Sequence, residues 1–350
     1  MAVPVISSHV LQGLPAFIRD EIGESALQRA NRAAGFDVEL IESHNCFIPQ
    51  KSVVAFVDAL ARAVGDPNVG LLISSGRDVS AYGSFGRYLF GADTLGEAVN
   101  RSIAALSYHS SYDRLSVATT ADELRLSYRF ALARSDGYGP VACAAAGELL
   151  SLFRAYLPDS WRPLRIELDI ERPRQASLFE DVFQCPVIFN ASAVAVVAER
   201  HRWGAVSKRI SRSMVTLEDV ARDRPGGAPQ GLLDVAVAQI RAQLLTGGIS
   251  IDDVARSMDT SIRTLQRELN RAGTDFRSLT TAVRIQRATE LLQDKGVSIT
   301  NISGDLGYSS PAGFSRAFRK ATGFGPREFR ARDLNAPSEL DLHAIDNPPL

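Results

Sequence analysis

The chain predicts an α+β architecture in which a mixed α/β half precedes an all-α half carrying two helix-turn-helix motifs. Three observations predict it. Leu124, Leu126, Tyr128 and Phe130 alternate with Arg125, Ser127 and Arg129, and Leu164, Ile166, Leu168 and Ile170 alternate likewise, so the first half contains strands. From residue 232 onward the apolar residues recur at helical spacing, and one capped pattern occurs twice, at 250–273 and 298–322. Between the halves, Arg222–Gln230 reads RDRPGGAPQ, whose two prolines and adjacent glycines cannot continue a helix.

In chain order, residues 1–20 read as a loosely ordered lead-in. Helical periodicity follows over Ser25–Ala34 and Lys51–Val64. The second of these has a broad apolar face of Val53, Val54, Phe56, Val57, Leu60 and Val64, and Asp66-Pro67-Asn68 stops it. Gly70–Gly91 is rich in glycine and serine and contains Arg87 and Tyr88. Thr94 is placed to cap the next helix, with Glu97 three residues on as a capping box and Leu95, Ala98, Val99 and Ile103 as the inner face. Pro140–Leu157 returns to helix, and its small residues Ala142, Ala144, Ala145, Ala146 and Gly147 would let a neighbour approach closely. Pro186–Phe189 and Ala193–Ala198 read as short strands or strand ends.

The second half opens with a helix over Leu232–Thr246, ended by Gly247-Gly248. In the first repeat, Ser250 caps a helix with Ile251, Val254 and Met258 inside. Ser298, Ile299, Ile302 and Leu306 restate that spacing 48 residues later, and Gly307 supplies the left-handed turn residue. Leu265 and Leu269 correspond to Phe314 and Phe318 at an offset of 49, so the second copy has one extra turn residue. Ser261 caps the second helix of the first copy. In the second copy Ser309 and Ser310 are the caps, with Pro311 near the first turn, where its missing N–H costs nothing. Phe276–Lys295 joins the copies as a helix of about 30 Å, comparable to one turn of B-DNA. The tail, 335–350, is acidic and proline-bearing and is expected to be disordered.

Composition is that of a soluble protein, with a formal net charge of −1. The charge is partitioned: Ser250–Leu334 holds 14 Lys or Arg against 10 Asp or Glu, a net +4 that leaves −5 for the rest. Cys46, Cys143 and Cys185 are widely spaced without a CxxC and read as reduced core thiols. His9, His44, His109, His201 and His343 form no ligand pair, so no metal or other cofactor is expected. No secretory leader and no membrane-length apolar run occurs, which points to the cytoplasm.

Residues from about Leu232 to Arg332 resemble the DNA-binding domain of the AraC/XylS family of bacterial transcription regulators. The residues that carry the resemblance are Gly307-Tyr308-Ser309, Phe314-Ser-Arg-Ala-Phe318, Gly323-Phe-Gly-Pro326 and Phe329-Arg330. One departure is Asp259, where the family's first turn more often has Gly; Asp adopts that conformation at some cost. Residues of about 20–205 resemble the arabinose-binding-like N-terminal domain of one branch of the family, through Thr94-Leu-Gly-Glu-Ala98, Ser160-Trp-Arg-Pro163 and Phe183-Gln-Cys-Pro186 to Phe189. The resulting domain scheme is lead-in 1–20, effector-binding or dimerisation domain 21–206, linker 207–231 and DNA-binding domain 232–334.

On the first recognition helix, Ile262, Leu265 and Leu269 face inward, leaving Arg263, Thr264, Gln266, Arg267 and Arg271 for DNA. On the second, Ala312, Gly313, Ser315, Arg316, Arg319 and Lys320 are available. Ser261 and Ser310 are caps with phosphate contact as a second role. Arg87, Tyr88, Tyr108 and His109 are the candidates for an effector pocket. The resemblance implies a regulator, commonly an activator, of promoter DNA and RNA polymerase, with a small-molecule effector and a homodimer among its partners and no membrane. The competing readings are an N-terminal half that only dimerises, or one that is an enzyme. The second lacks a nucleophile–base pair or metal cluster in the sequence.

Overall fold

The computed structural model describes residues 3–332 apart from 36–37, 39–40, 42–45, 67, 209–213, 246–247 and 295. The expected tail at 335–350 lies outside the described residues, as do His44, His343 and Gly247. The chain divides after Gln230, into a unit spanning Pro4–Gln230 and one from Gly231 on.

In the first unit, β1 (Val5–Ser7) pairs antiparallel with β2 (Phe47–Pro49). Helices α1 (Leu14–Glu21), α2 (Glu24–Ala34), α3 (Gln50–Val64), α4 (Val69–Ser75), α5 (Gly83–Phe90) and α6 (Leu95–Ala105) precede the main sheet. That sheet has the order β3-β4-β7-β5-β6, with β3 (Arg114–Thr119), β4 (Glu123–Arg129), β5 (Arg165–Glu167), β6 (Val187–Ile188) and β7 (Val194–Glu199). All neighbours are antiparallel except β5 and β6, which are parallel. Helix α7 (Gly139–Arg154) packs on β7, whose Val194–Ala198 are fully buried at the sheet centre. Helix α8 (Ala176–Phe183) lies between β5 and β6 in sequence.

The sequence readings of α2, α3, α6, α7, β4 and β7 hold to within a few residues. The Thr94 cap forms, accepting from Glu97 N at 3.2 Å. Gly147 does admit a neighbour: a Cβ there would stand 2.3 Å from the Ser74 carbonyl oxygen, so α4 and α7 touch backbone to backbone. Some details differ. Helix α3 stops at Gly65, whose φ of 73° ends it before Pro67 is reached, and Val64 at its end is 46 % exposed. The strand expected at Leu164–Ile170 pairs only over Arg165–Glu167, flanked by a 40 %-exposed Leu164.

The lead-in is the larger correction. Val5, Ile6, Leu11, Leu14 and Ile18 are all buried. Ser7 N donates to His109 O at 2.8 Å, and Arg77 Nη2 donates to Val10 O at 2.6 Å. Too few residues lie in β1 to show a period, yet it pairs with β2 and its side chains are buried.

The expected linker differs too. Thr216 and Asp219 form a capping box that starts α9 (Leu217–Asp223), which packs on α5. Arg224 follows and is 7 % exposed, its guanidinium 4.5 Å from the Phe47 ring centroid and its Nη2 donating to Ser7 Oγ at 2.6 Å. Ala228 N then donates to Ser107 O at 2.7 Å, and Tyr112 Oη to Gln230 O at 2.6 Å. The prolines and glycines do end the helix, as the sequence implies. What they leave is a turn through Gly226 and Gly227, both at positive φ, and then a strap fastened to the first unit by backbone and side-chain bonds.

The second unit is all helical in its described residues: α10 (Leu232–Leu245), α11 (Ile251–Ser257), α12 (Ile262–Arg271), α13 (Phe276–Gln293), α14 (Ile299–Asp305), α15 (Pro311–Thr322) and α16 (Pro326–Ala331). Leu244, Ile285, Ala288, Leu292, Ile302, Leu306, Phe314, Phe318 and Phe329 form one core around the second repeat. No helix among the described residues is long and apolar enough to cross a membrane.

Candidate nucleic-acid interface

The two repeats fold by the same local hydrogen bonds. Ser250 Oγ accepts from Asp253 N and Ser298 Oγ from Asn301 N, capping α11 and α14. Where each helix ends, Asp259 N donates to Arg256 O at 3.0 Å and Gly307 N to Gly304 O at 2.8 Å. Thr260 N then donates to Ala255 O at 2.9 Å, and Tyr308 N to Ser303 O at 3.0 Å. Asp259 and Gly307 occupy the same left-handed corner, with φ of 52° and 69°. Asp therefore takes the conformation for which glycine is the low-cost residue. The second helices begin alike: Ser261 Oγ accepts from Thr264 N at 3.1 Å and Ser310 Oγ from Gly313 N at 3.2 Å. Duplication in sequence is thus duplication in backbone geometry.

Each second helix is held by two large side chains four residues apart. Leu265 and Leu269 are fully buried in α12, and Phe314 and Phe318 in α15. The two phenylalanine rings lie 5.6 Å apart, and Phe329 meets Phe318 edge-on at 5.3 Å. This anchoring leaves a polar face outward. In α12, Arg263, Gln266, Arg267 and Arg271 are exposed and Thr264 is half-buried; in α15, Ala312, Arg316, Arg319 and Lys320 are exposed, with Gly313 and Ser315 half-buried.

The cations on these faces are not equivalent. Glu268 accepts from Arg267 at 3.2 Å and Arg271 at 2.8 Å, and these contacts hold its carboxyl below the usual range, the Arg267 bond foremost. Two of the three α12 arginines are therefore partly neutralised. Arg319 folds back: a Cβ on Gly325 would lie 3.0 Å from its Nη2. Arg263 and Arg316 have no carboxylate within ion-pair distance among the described residues. Ser261, besides capping, donates Oγ–H to Thr264 Oγ1 at 3.0 Å, which ties both groups to the helix start.

Behind the faces, α13 is the connecting rod. Asp275 caps it by accepting from Ser278 N at 2.8 Å, and 18 residues give it a length of about 27 Å. Two arginines with structural work to do were not separable from DNA contacts in the sequence. Arg284 lies with its guanidinium 5.4 Å from the Tyr308 ring centroid and bolsters the Gly307 turn. Arg330 donates to Leu292 O at 3.3 Å, a carbonyl that the end of α13 leaves open, and to Val297 O at 2.7 Å in the turn before α14. Their signal is position relative to a helix end.

The four effector candidates lie in different settings. Arg87 is exposed on α5, and the Tyr88 ring lies beneath Arg101 at 5.1 Å. Tyr108 lies beside Gly227 of the strap. His109 is buried, stacked on Phe85 at 4.7 Å and on Tyr82 at 5.4 Å, and burial followed by the nearby Arg224 and His9 depresses its pKa to about 3.

Comparison with known proteins agrees with this geometry. Residues 25–204 match the family described as the arabinose-binding domain of AraC transcription regulator, N-terminal, and residues 254–332 match a helix-turn-helix domain. The ornithine utilization regulator of Pseudomonas aeruginosa is 24% identical over 94% of this chain and 96% of its own length. An uncharacterized HTH-type transcriptional regulator of Mycobacterium tuberculosis is 39% identical over 80 residues, which are 23% of this chain and 23% of that protein. The urease operon transcriptional activator of Escherichia coli is 36% identical over 28% of this chain and 34% of its own length. For the latter two the likeness spans about a third or less of the relative. With more than half of its length matched by the N-terminal family model and a helix-turn-helix domain behind it, the chain belongs to the AraC family of transcription regulators.

Proposed function

We propose that this protein is a sequence-specific transcription regulator, an activator acting at promoter DNA together with RNA polymerase and controlled by a small molecule held in the Pro4–Gln230 unit. The observation that carries the reading is the pair of hydrogen-bond-for-hydrogen-bond repeats, each exposing a basic helix. Arg263 and Gln266 in α12 and Arg316 in α15 are the base-reading residues, since they are exposed and free of a competing carboxylate; guanidinium suits guanine O6 and N7, and Gln suits adenine. Arg267, Arg271, Thr264, Arg319 and Lys320 serve phosphates. Ser261 and Ser310 present helix starts to the backbone. Ala312, Gly313 and Ser315 are small enough to let α15 approach the bases. A rod of about 27 Å between the repeats fits two major-groove segments on one face of the duplex.

Footprinting on promoter fragments tests this. The expected result is an asymmetric site with two protected major-groove segments about one helical turn apart per protomer. Protection confined to one segment, or equal affinity for promoter and random duplex, would refute it. Arg316→Ala is expected to weaken specific binding by about 1–3 kcal/mol in gel-shift titrations, the weight of one good base contact.

A further inference from the structure

The outward face of β3 and β4 holds an arrangement that folding alone does not favour. The register places Arg114 directly opposite Arg129, with Ser116 opposite Ser127 as the next pair on that face. Like charges in such a position repel. The carboxylates nearby are committed elsewhere: Glu167 pairs with Arg125 at 2.8 Å and with Arg165 at 3.1 Å, and Glu123 pairs with Arg165 at 2.7 Å. Arg129 donates to the Ser192 carbonyl at 3.3 Å and lies near Asp169, which accepts from Tyr138 Oη at 3.0 Å; neither Arg129 nor Arg114 has a carboxylate within ion-pair distance among the described residues. Asp113 is occupied as well, accepting from Tyr128 Oη at 2.6 Å, Ala131 N at 2.8 Å and Gln50 Nε2 at 2.9 Å.

These two guanidiniums line a cleft of about 530 Å³ together with Arg125, Ser116, Ser127, Leu106 and the hydrogen-bonded Asp113, so cations outnumber the one carboxyl. That volume suits a metabolite. The cleft also borders the fastenings of the strap. Leu106 precedes Ser107, whose carbonyl accepts from Ala228 N, and Asp113 follows Tyr112, which donates to Gln230 O. Gln230 is the last residue before the second unit.

We propose that this cleft binds a small metabolite bearing a carboxylate or phosphate, gripped between Arg114 and Arg129, and that its occupancy changes DNA affinity through Tyr112 and the strap. Guanidinium groups match both anions in bidentate geometry. Ser127 Oγ donates to Ser116 O at 3.2 Å, which leaves the Ser116 hydroxyl as a further donor, and Leu106 takes the apolar body. The control of DNA binding rests on the regulator reading above; the anion site does not.

The test is calorimetric titration of the full chain with citrate and, separately, pyrophosphate, at fixed ionic strength set by chloride. Saturable one-site binding by citrate alone identifies a carboxylate site, by pyrophosphate alone a phosphate site. Arg114→Ala and Arg129→Ala should each weaken it about tenfold or more, the weight of a hydrogen-bonded charge pair. Arg174→Ala, an exposed arginine elsewhere on the same unit, should leave it unchanged. No binding by either probe below about 10 mM, or equal weakening by Arg174→Ala, overturns the site and leaves a solvated arginine pair guarding an edge strand. With the binding probe present, promoter affinity should shift in the wild type and stay constant in Tyr112→Phe. An unchanged wild-type affinity overturns the coupling. Absence of any promoter preference in ligand-free protein would instead sink the regulator reading, while the titration stands.

Discussion

Asp259 and Gly307 show how one backbone requirement is met by two residues. Both sit at positive φ, and the first repeat accepts a β-carbon in a conformation that costs L-residues about 1–2 kcal/mol. Gly307→Ala should therefore destabilise the second unit by about that amount, since the corner demands the same φ whatever occupies it. The added Cβ meets only Arg284 Nη2, at 3.3 Å, which can move aside. Urea denaturation followed by far-ultraviolet circular dichroism measures it; an unchanged midpoint would show that the turn relaxes. Glu268 makes a second point at this scale. It pairs with both Arg267 and Arg271, so on the proposed reading those arginines exchange a carboxylate for a phosphate on binding. Exposed pairs of this kind are screened by solvent and contribute little, so the exchange costs little. Glu268→Gln is expected to raise affinity for any duplex about two- to fivefold, without changing sequence preference. A gel shift against both promoter and random fragments decides between general tightening and none.

Elements with an amphipathic period and a cap were legible in the sequence; those defined by partners were not. Thr94, Ser250, Ser261, Ser298 and Ser310 all cap as the sequence implies, because capping is set within four residues of chain. Strand β3 went unread because its residues are exposed or half-buried and only Leu115 and Val117 alternate. Strand β1 and the strap escaped for the opposite reason. They are short, and what fixes them is long-range: Val5 N bonding Ser111 Oγ at 2.9 Å, and Arg224 reaching Ser7 across more than two hundred residues. The exposed faces of α12 and α15 are legible from helical spacing, but Glu268 as an intrahelical partner of two arginines and Arg319 as a folded-back side chain needed coordinates. The aromatic core of the second repeat is the element-scale counterpart of that reading. Phe318 is fully buried and touches both Phe314 and Phe329. Phe318→Ala should cost about 3–5 kcal/mol and unseat α15. Far-ultraviolet melting would show the helical transition moving down, and a shift of less than about 1 kcal/mol would mean the cavity collapses freely.

At the scale of the whole molecule, charge is distributed unevenly between exposed helices and one buried cluster. His9, His109 and Arg224 lie together at the start of the strap, with His109 Nδ1 and Arg224 Nη1 lacking hydrogen-bond partners among the described residues. Burial foremost, then the Arg224 charge, lowers His9 to about 4 and His109 to about 3 from an ordinary 6.5. Both are therefore neutral in the folded protein at neutral pH, while the unfolded chain protonates them on passing below 6.5. The unfolded state then binds more protons, so stability falls as pH drops from 6.5 towards about 4, by at most about 1.4 kcal/mol per pH unit for each histidine. Trp161 and Trp203 are the two tryptophans of the chain and both belong to the Pro4–Gln230 unit, so their fluorescence isolates that unit within the full protein. Urea midpoints read this way should decline steadily between pH 6.5 and 4.5 in the wild type. His109→Phe keeps a ring against Phe85 and Tyr82, removes the unpaired Nδ1 and cannot titrate. It should flatten the decline by about half, leaving His9 as the remaining contributor. Equal pH slopes in wild type and variant would mean that the acid sensitivity resides in carboxylates elsewhere, and that the strap starts at a cluster indifferent to protons.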